Sequence, residues 1–469
     1  MVAHDVDADG DVDILHSDAD ARFVPFLNDG RGFFLAGPAL QAPPFGATVG
    51  TLGAADDDGD GLPELFLAAT PNLWRYQNLG SGTFGAPTSL WEETGTVRYR
   101  YPAFSMADAD GDGDLDIAMF AHMENGPPPG DDDDDSAGGP FVFEGTRDVL
   151  LLFEGGSVQE TIELLGDAGG TLGLVGLFTD RDGDGDQDLF VPSDRDLPAV
   201  FWRNDGPGSG SVPTFVDDST QISAAVEMDG MGVDSADLNQ DGRLDYLISD
   251  TGPVKVLLSG SSGYVESGVA LGLDPDTDFN PATVGWSLDL VDLENDGWLD
   301  IVQASGPLPD GPGAAQAWPD IYWRGLEDGT FEDVTTETGF GSMAENYGLT
   351  TADFDGDGFL DVVRVEPGSP PSLLMNRCGA GAWLDVELIG LPENREAFGA
   401  RIEVVSGDFT HLREMHSSRG QGQTPSRLHF GLGAVDTVGP VRITWPDGAV
   451  SESSLVPVNR RVTVTHPVR

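Results

Sequence analysis

The chain has 469 residues, of which 81 are Asp or Glu and only 23 are Lys or Arg, so its formal net charge is −58. This charge repels nucleic acid and anionic lipid surfaces, and it excludes both as partners. No run of 18 consecutive apolar residues occurs, so no transmembrane helix is expected. A single cysteine excludes an intramolecular disulfide, and 64 glycines with 32 prolines favour turns and short strands.

An acidic nine-residue pattern, D-x-[DEN]-x-D-G-x-x-[DE], recurs seven times along the chain. The intervals between successive starts are 51, 52, 72, 57, 55 and 61 residues, and the long interval contains the insertion GPPPGDDDDDSAGGP at 126–140. We call the seven copies acidic loops 1 to 7, and they are Asp5–Asp13, Asp56–Glu64, Asp108–Asp116, Asp180–Asp188, Asp237–Asp245, Asp292–Asp300 and Asp353–Asp361.

Short apolar runs follow each acidic loop, for example LFLAA and IAMFA, and they predict strands. A second strand and a Gly-rich turn come next, and a segment of small residues, as in VGTLGAAD, precedes each loop as an innermost strand. Four strands in 50–60 residues match one propeller blade, whereas solenoid repeats, the alternative, are usually shorter. We therefore predict an all-β chain, with a seven-bladed β-propeller over 1–376 and a small antiparallel β domain over 377–469.

The spacing of the acids fits a calcium ion, which takes six to eight oxygen ligands in flexible geometry. Carboxylates at positions one, three and five converge in a tight turn, and the sixth residue, Gly in every copy, permits the positive φ of that turn. Position seven supplies a backbone carbonyl, so its side chain is free to vary, and the acid at position nine completes the shell. Up to seven ions would reduce the charge from −58 to −44.

The predicted ligands are five residues in each loop. They are Asp5, Asp7, Asp9, Asp11 and Asp13; Asp56, Asp58, Asp60, Leu62 and Glu64; Asp108, Asp110, Asp112, Asp114 and Asp116; Asp180, Asp182, Asp184, Asp186 and Asp188; Asp237, Asn239, Asp241, Arg243 and Asp245; Asp292, Glu294, Asp296, Trp298 and Asp300; and Asp353, Asp355, Asp357, Phe359 and Asp361. Asn239 removes one charge, so loop 5 is expected to bind most weakly.

Two other interpretations of the acidic loops are weaker. A single copy could be a solvated Asp/Gly turn, but seven copies in register before strands favour a metal. An EF-hand would need a ligand at position twelve and flanking helices, which the pattern lacks. The run Asp131–Asp135 has no alternation and no Gly, so we interpret it as a solvated loop.

On these motifs the repeats resemble the FG-GAP/VCBS repeats of integrin-α-type propellers over about residues 1–376. That resemblance implies calcium in a loop between the first two strands of each blade. The remainder resembles the ASPIC/UnbV domain of the cartilage acidic protein family and departs from it at Gln423-Thr424-Pro425-Ser426, which leaves the role of that loop open. The resemblance implies extracellular or cell-envelope proteins. The motifs that carry it are Asn394-Arg395, Gly399-Ala400-Arg401, Gly420-Gln421-Gly422, His429-Phe430-Gly431-Leu432-Gly433 and Trp445-Pro446-Asp447-Gly448.

No motif for a nucleophile elbow, a zinc protease, a P-loop or a dinucleotide site occurs. The segment HLREMHSS at 411–418 is predicted as a strand of the second domain, and its His411 and His416 lack metal-ligand spacing. His429 is interpreted as a packing or hydrogen-bonding residue. Two function classes remain. The first is a secreted, periplasmic or cell-surface calcium-binding module for a protein or glycan, and the second is a calcium-dependent polysaccharide lyase or hydrolase. The scarcity of basic residues disfavours an acidic glycan, so we expect a binding module and no enzyme.

The first repeat has only Met1–His4 before its acidic loop, and the seventh repeat lacks an outermost strand before the second domain. No signal peptide precedes the first loop. We expect an upstream segment to supply both a strand and an export signal.

Overall fold

The computed structural model describes residues 1–17, 22–43, 48–93, 99–124, 147–165, 170–207, 212–274, 284–307, 319–342, 344–366, 369–377, 379–419 and 422–468. Strands dominate this part of the chain, and each of its two helices is a single turn that cannot cross a bilayer. The insertion with Asp131–Asp135 lies outside the described residues.

Seven antiparallel sheets follow one another along the repeats, and each has one acidic loop between its first and second strands. Two additional pairs occur: β9 with β12 flank the first two strands of sheet 3, and β17 with β20 link sheet 4 to the start of sheet 5. The strands of sheets 1 to 4 are β1 (Val2–His4), β2 (Asp13–Ser17), β3 (Phe23–Asn28), β4 (Phe34–Ala36), β5 (Thr48–Ala55), β6 (Glu64–Thr70), β7 (Asn72–Tyr76), β8 (Thr88–Glu92), β9 (Tyr99–Arg100), β10 (Ala103–Ala107), β11 (Asp116–Phe120), β12 (Met123–Glu124), β13 (Asp148–Glu154), β14 (Ser157–Leu164), β15 (Leu177–Thr179), β16 (Asp188–Val191), β17 (Leu197–Pro198), β18 (Val200–Asn204), β19 (Phe215–Asp217) and β20 (Glu227–Met228).

Sheets 5 and 6 again have four strands, whereas the described part of sheet 7 has three, as the seventh repeat predicted. A 3-10 turn at Val269–Leu271 and the helix α1 at Thr335–Thr338 follow sheets 5 and 6. The strands are β21 (Gly232–Ala236), β22 (Asp245–Ser249), β23 (Lys255–Leu258), β24 (Val265–Glu266), β25 (Gly285–Val291), β26 (Asp300–Ser305), β27 (Ile321–Gly325), β28 (Phe331–Asp333), β29 (Gly348–Ala352), β30 (Asp361–Val365) and β31 (Ser372–Leu374).

The first strands of the sheets lie side by side around a common axis. Strand β5 contacts β10, β10 contacts β15, β21 contacts β25, and β25 contacts β29. Strand β1 contacts both β5 and β29, so the series of sheets returns to its start. The second strands are buried on both faces between neighbouring sheets, as the seven buried residues of β6 illustrate. The all-β propeller arrangement predicted from the sequence is confirmed.

The C-terminal domain contains a three-stranded, a four-stranded and a two-stranded sheet, which contribute to one hydrophobic core. Strand β40 runs parallel to β32, so this domain is not purely antiparallel, while its other strand pairs are antiparallel. Its strands are β32 (Ala382–Ile389), β33 (Arg401–Ser406), β34 (Phe409–Glu414), β35 (Arg427–Gly433), β36 (Thr437–Val438), β37 (Val441–Thr444), β38 (Val450–Ser453), β39 (Val456–Pro457) and β40 (Arg460–Thr465).

After β34 the chain leaves its own domain and enters the axis of the propeller. The sequence HLREMHSS predicted a strand throughout, but the strand ends at Glu414 because the following polar side chains bond to the propeller. The Ser417 hydroxyl accepts from the Met106 amide at 2.7 Å, and Thr179 donates to Glu414 at 2.7 Å. We call residues 413–419 and 422–424 the axial segment.

Gln423 links the axial segment to three neighbouring first strands. Its side-chain amide accepts from the Ala54 N–H at 2.7 Å and donates to the Ala54 carbonyl at 2.8 Å. Its backbone carbonyl accepts from Ala3 of β1 at 2.9 Å and from the Thr350 hydroxyl of β29 at 3.3 Å. The loop whose role the sequence left open therefore satisfies buried backbone groups at the axis.

Candidate metal centres

The first Asp of each acidic loop holds the turn in shape. In loop 1, the Asp5 carboxylate accepts from the amides of Asp9 and Gly10 at 3.2 and 2.9 Å. The glycines at position six have φ between 82° and 105° in all seven loops, the left-handed conformation expected for them. The carboxylate therefore both shapes the loop and faces its centre.

The acid at position five uses one carboxylate oxygen to hold the loop backbone in place. In every loop its Oδ1 accepts from the backbone amide of position seven, as Asp357 does from Phe359 at 3.0 Å. The side chain at position seven turns away from the loop. Asp11 and Asp186, for example, lie against Gly30 and Gly206 at the end of the third strand, and Trp298 packs on Phe409.

The acid at position nine has a structural role that the sequence did not reveal. The residue at this position is at most 1% exposed in every loop. Its carboxylate accepts a hydrogen bond from the backbone N–H of a residue at the end of the third strand or just after it. Burial raises the pKa of Asp13 to about 7, of Asp188 to about 8 and of Glu64 to about 9. Such carboxylates stay ionised at neutral pH only beside a compensating charge.

Five of the seven loops bring three carboxylates together, with one oxygen of each within 4.8 Å of the others. Loops 1, 2 and 3 use positions one, three and nine, whereas loops 4 and 7 use positions one, three and five. The groups are Asp5, Asp7 and Asp13; Asp56, Asp58 and Glu64; Asp108, Asp110 and Asp116; Asp180, Asp182 and Asp184; and Asp353, Asp355 and Asp357.

Three carboxylate oxygens in these groups are buried without a hydrogen-bond partner. They are Oδ1 of Asp7, Oδ1 of Asp355 and Oε2 of Glu64. A buried carboxylate oxygen without a partner is costly, and a cluster of like charges adds repulsion. An oxygen-preferring cation at the centre of each group would remove both costs, so these residues fit calcium.

Loops 5 and 6 do not form such a group among the described residues. In loop 5 the third position is an amide, and the Asn239 nitrogen donates to the Ser259 carbonyl at 3.1 Å. In loop 6 the third position is Glu294, whose carboxylate accepts from Nε of Arg324 at 2.9 Å. The longer Glu side chain reaches an arginine on β27 rather than the centre of its loop.

Arginine side chains lie at several other loops. Arg75 on β7 pairs with Asp57 and Asp58, and its Nη2 lies 3.5 Å from Glu64. Arg377, which is 56% exposed, pairs with Asp355 at 2.5 Å and with Asp357 at 2.9 Å. An exposed pair of this kind is weak, so a divalent ion can displace it.

The C-terminal domain covers the face of the propeller that carries the acidic loops. Arg395 lies 3.4 Å from Asp56 and Arg401 lies 3.5 Å from Asp180. His429 bonds to Asn295 at 2.7 Å and stacks on Trp383, as its packing interpretation predicted. These interdomain contacts had no signal in the sequence, because the repeats and the domain show no shared pattern.

None of the histidines joins a metal-ligand group in the part of the chain that the structure describes. His416 instead bonds to Ser235 at 2.8 Å, and burial lowers the pKa of His411 to about 4. The His416 side chain therefore joins the axial segment to the propeller.

Two family descriptions match the chain. The FG-GAP-like repeat family matches residues 56–119, 180–248, 237–302 and 314–364, which together are 238 of the 469 residues. The family described as ASPIC and UnbV matches residues 390–469.

Relatives and solved structures show distant similarity over most of the chain. Cartilage acidic protein 1 of Mus musculus is 24% identical over 96% of this chain and 71% of that protein. The Homo sapiens protein of the same name is 24% identical over 95% of this chain and 68% of that protein. An N-acetylglucosamine-recognising Agrocybe aegerita lectin has a TM-score of 0.45 and 17% identity over 78% of this chain and 90% of its own. An exotype rhamnogalacturonan lyase has a TM-score of 0.40 and 15% identity over 95% of this chain and 80% of its own.

The repeated sheets, each with an acidic loop after its first strand, agree with the larger of the two family matches. The chain therefore belongs to the FG-GAP-like repeat family and ends in an ASPIC and UnbV module.

Proposed function

We propose that the chain is a secreted calcium-binding propeller that acts as a binding or adhesion module for an extracellular protein or glycan, and that it is not an enzyme. The observation that supports calcium most directly is the convergence of three carboxylates in five loops, with buried oxygens of Asp7, Glu64 and Asp355 lacking partners. Calcium prefers such oxygen ligands and tolerates their variable number.

Calcium has a structural task in this proposal. Each acidic loop joins the innermost strand to the second strand, and its ninth-position acid also bonds near the end of the third strand. An ion held by that acid and by positions one, three and five would fix three strands of one sheet relative to one another. The carboxylates themselves provide the ligands, and no chemical step is required of the ion.

The ligand surface that we propose is a groove between loops 5 and 6 and the C-terminal domain. The axis is filled by the axial segment, so a ligand cannot use it. The groove has a volume of about 770 Å³ including its open mouth. Trp298 and Phe409 meet edge to face at 5.4 Å on its wall, and Phe409 is 41% exposed. Aromatic faces beside polar groups suit a neutral sugar or a protein loop, and the polar groups here are Asn239, Gln240, Glu327 and Asp328.

Glycan and extracellular-protein arrays, probed in calcium and in EGTA, test this function. We expect calcium-dependent binding that Trp298→Ala weakens at least about tenfold, since one buried aromatic contact contributes on that order. Trp91→Ala is the matched control, because Trp91 packs on Tyr101 away from the groove. Binding unaffected by Trp298→Ala would place the ligand elsewhere.

The absence of catalysis needs its own measurement. Neutral and acidic polysaccharides are incubated with the calcium-loaded protein, and both reducing ends and unsaturated sugars are measured. We expect neither product to form. Either product, if abolished by EGTA, would establish the enzymatic alternative.

A further inference from the structure

A small cavity lies where the axial segment and β35 meet β25 and β29. Its volume is about 30 Å³, which is room for one or two water-sized groups. Three arginines line it, namely Arg413, Arg419 and Arg427. In a chain with 23 Lys and Arg residues and a charge of −58, two buried arginines and a partly buried third around one cavity are unexpected.

Each of these arginines has a buried nitrogen without a hydrogen-bond partner. They are Nε of Arg413, Nε of Arg419 and Nη2 of Arg427. Arg413 and Arg419 are only 4% and 5% exposed, so solvent does not satisfy them. Guanidinium groups cannot lose their charge in compensation, and unsatisfied charged donors are among the most costly buried groups.

The partners that the arginines do have do not supply an aligned acceptor to these nitrogens. Nη2 of Arg413 donates to the Leu290 carbonyl at 2.9 Å. Nε of Arg419 lies 3.3 Å from Asp234 without the alignment of a hydrogen bond, and Nε of Arg427 lies 3.7 Å from Asp385. Each ion pair therefore leaves donor capacity unused.

Two carboxylates also line the cavity, but both are engaged elsewhere. Asp385 accepts from Arg461 at 2.9 Å. Asp353 accepts from the amides of Gly356, Asp357 and Gly358 and belongs to acidic loop 7. The unsatisfied side-chain groups around the cavity, among the described residues, are thus all donors.

We propose that this cavity binds a small inorganic anion, with chloride as the type. Such an anion would accept hydrogen bonds from the three guanidinium groups. Because it has no hydrogen to donate, it would need no acceptor from the protein. A water molecule would bring two hydrogens of its own into a site whose carboxylates are already engaged. The site joins Arg413 and Arg419 of the axial segment to Arg427 of β35, so the anion would fasten the segment beside sheets 6 and 7.

Thermal unfolding at constant ionic strength and saturating calcium tests the proposal, with sodium chloride replaced stepwise by sodium gluconate. We expect Tm to be a few degrees higher in chloride than in gluconate. The increase should level off as the chloride concentration rises, because chloride would bind only the native state. Equal values of Tm in the two salts would overturn the site. A rise of Tm in sulfate that equals the rise in chloride would also overturn it, because it would indicate a general salt effect.

Arg427→Gln locates the effect in the cavity. Asp385 keeps Arg461 as a partner in this variant, so its charge is not left unpaired. We expect the chloride effect on Tm to disappear. Arg442→Gln is the matched control, since Arg442 is exposed and pairs only loosely with Glu403 at 3.9 Å. An effect that survives Arg427→Gln, or that Arg442→Gln abolishes equally, would contradict the proposal.

Crystals of the unsubstituted protein grown in bromide provide a measurement that does not depend on a variant's folding. An anomalous peak between the three guanidinium groups would establish the site. A cavity with density but without anomalous signal would show that water occupies it and would overturn the proposal.

Discussion

Acidic loops 6 and 7 are neighbours with the same nine-residue pattern, yet their carboxylates are arranged differently. In loop 7, Asp353, Asp355 and Asp357 converge. In loop 6, Glu294 reaches out to Arg324, which is 28% exposed and also lies 3.2 Å from Glu337. Arginines also pair with the third-position acids of loops 2 and 7, which nevertheless converge. The difference therefore points to the longer side chain of Glu294, which can reach Arg324 on the third strand, outside the pattern. Loop 5 also lacks a converged group of three carboxylates, because its third position is the amide Asn239.

Removing all divalent ions should produce the largest effect. If five loops bind calcium, each tightly bound ion contributes roughly 2–3 kcal/mol at an excess of 100 over Kd. We expect EGTA to lower Tm by at least about 10 °C relative to millimolar calcium. Differential scanning calorimetry checks this, with magnesium as the control ion. Superimposable melting curves in calcium and EGTA would refute calcium binding in every loop.

Asp355→Asn and Glu294→Gln make the same chemical change at position three of loops 7 and 6. Asp355 belongs to a converged group with an unpartnered oxygen, so its neutralisation should destabilise the calcium-loaded protein by about 1–3 kcal/mol. Glu294→Gln should cost less than about 1 kcal/mol, because a partly exposed ion pair contributes little. Chemical denaturation in calcium measures both. Equal losses would remove the distinction between the two loops.

Arg324→Gln should make loop 6 resemble loop 7. With its arginine partner gone, Glu294 is free to turn toward Asp292. We expect calorimetric titration to detect one more calcium ion per chain, or a severalfold higher affinity of the weakest calcium sites. Arg147→Gln is the control, because Arg147 pairs with Glu163 at 2.6 Å outside the acidic loops. An unchanged titration for Arg324→Gln would show that the length of Glu294, and not the arginine, is decisive.

Asn239→Asp should produce the smallest change. It restores the fourth carboxylate of loop 5 and removes the donor to the Ser259 carbonyl. We expect a shift of at most about 1 kcal/mol, stabilising in calcium and destabilising in EGTA, because the added charge repels its neighbours without an ion. A change of the same sign in both conditions would contradict a metal role for this loop.

The sequence predicted the propeller because its repeats carry the local signals of strand, turn and acidic loop in a fixed order. It also indicated the acidic loops, five of which bring three carboxylates together, since alternation and glycine position are local properties. The Glu294 carboxylate is held by Arg324, which lies thirty residues away on β27. A local sequence pattern cannot predict a contact between residues so far apart in the chain. The axial segment was mistaken for a strand because its polar residues bond to backbone groups that only the assembled ring presents.

The axial segment also sets the order in which the molecule can be completed. Gln423 bonds to Ala54, which precedes it by 369 residues, and also to strands of the first and last sheets. During synthesis the propeller strands leave the ribosome long before the segment that satisfies their inner edges. Until then the ring has an open centre with unpaired backbone groups, a state prone to misassembly. Chains truncated before the axial segment should keep this open centre, and we expect them to be cleaved faster by proteases than the full chain.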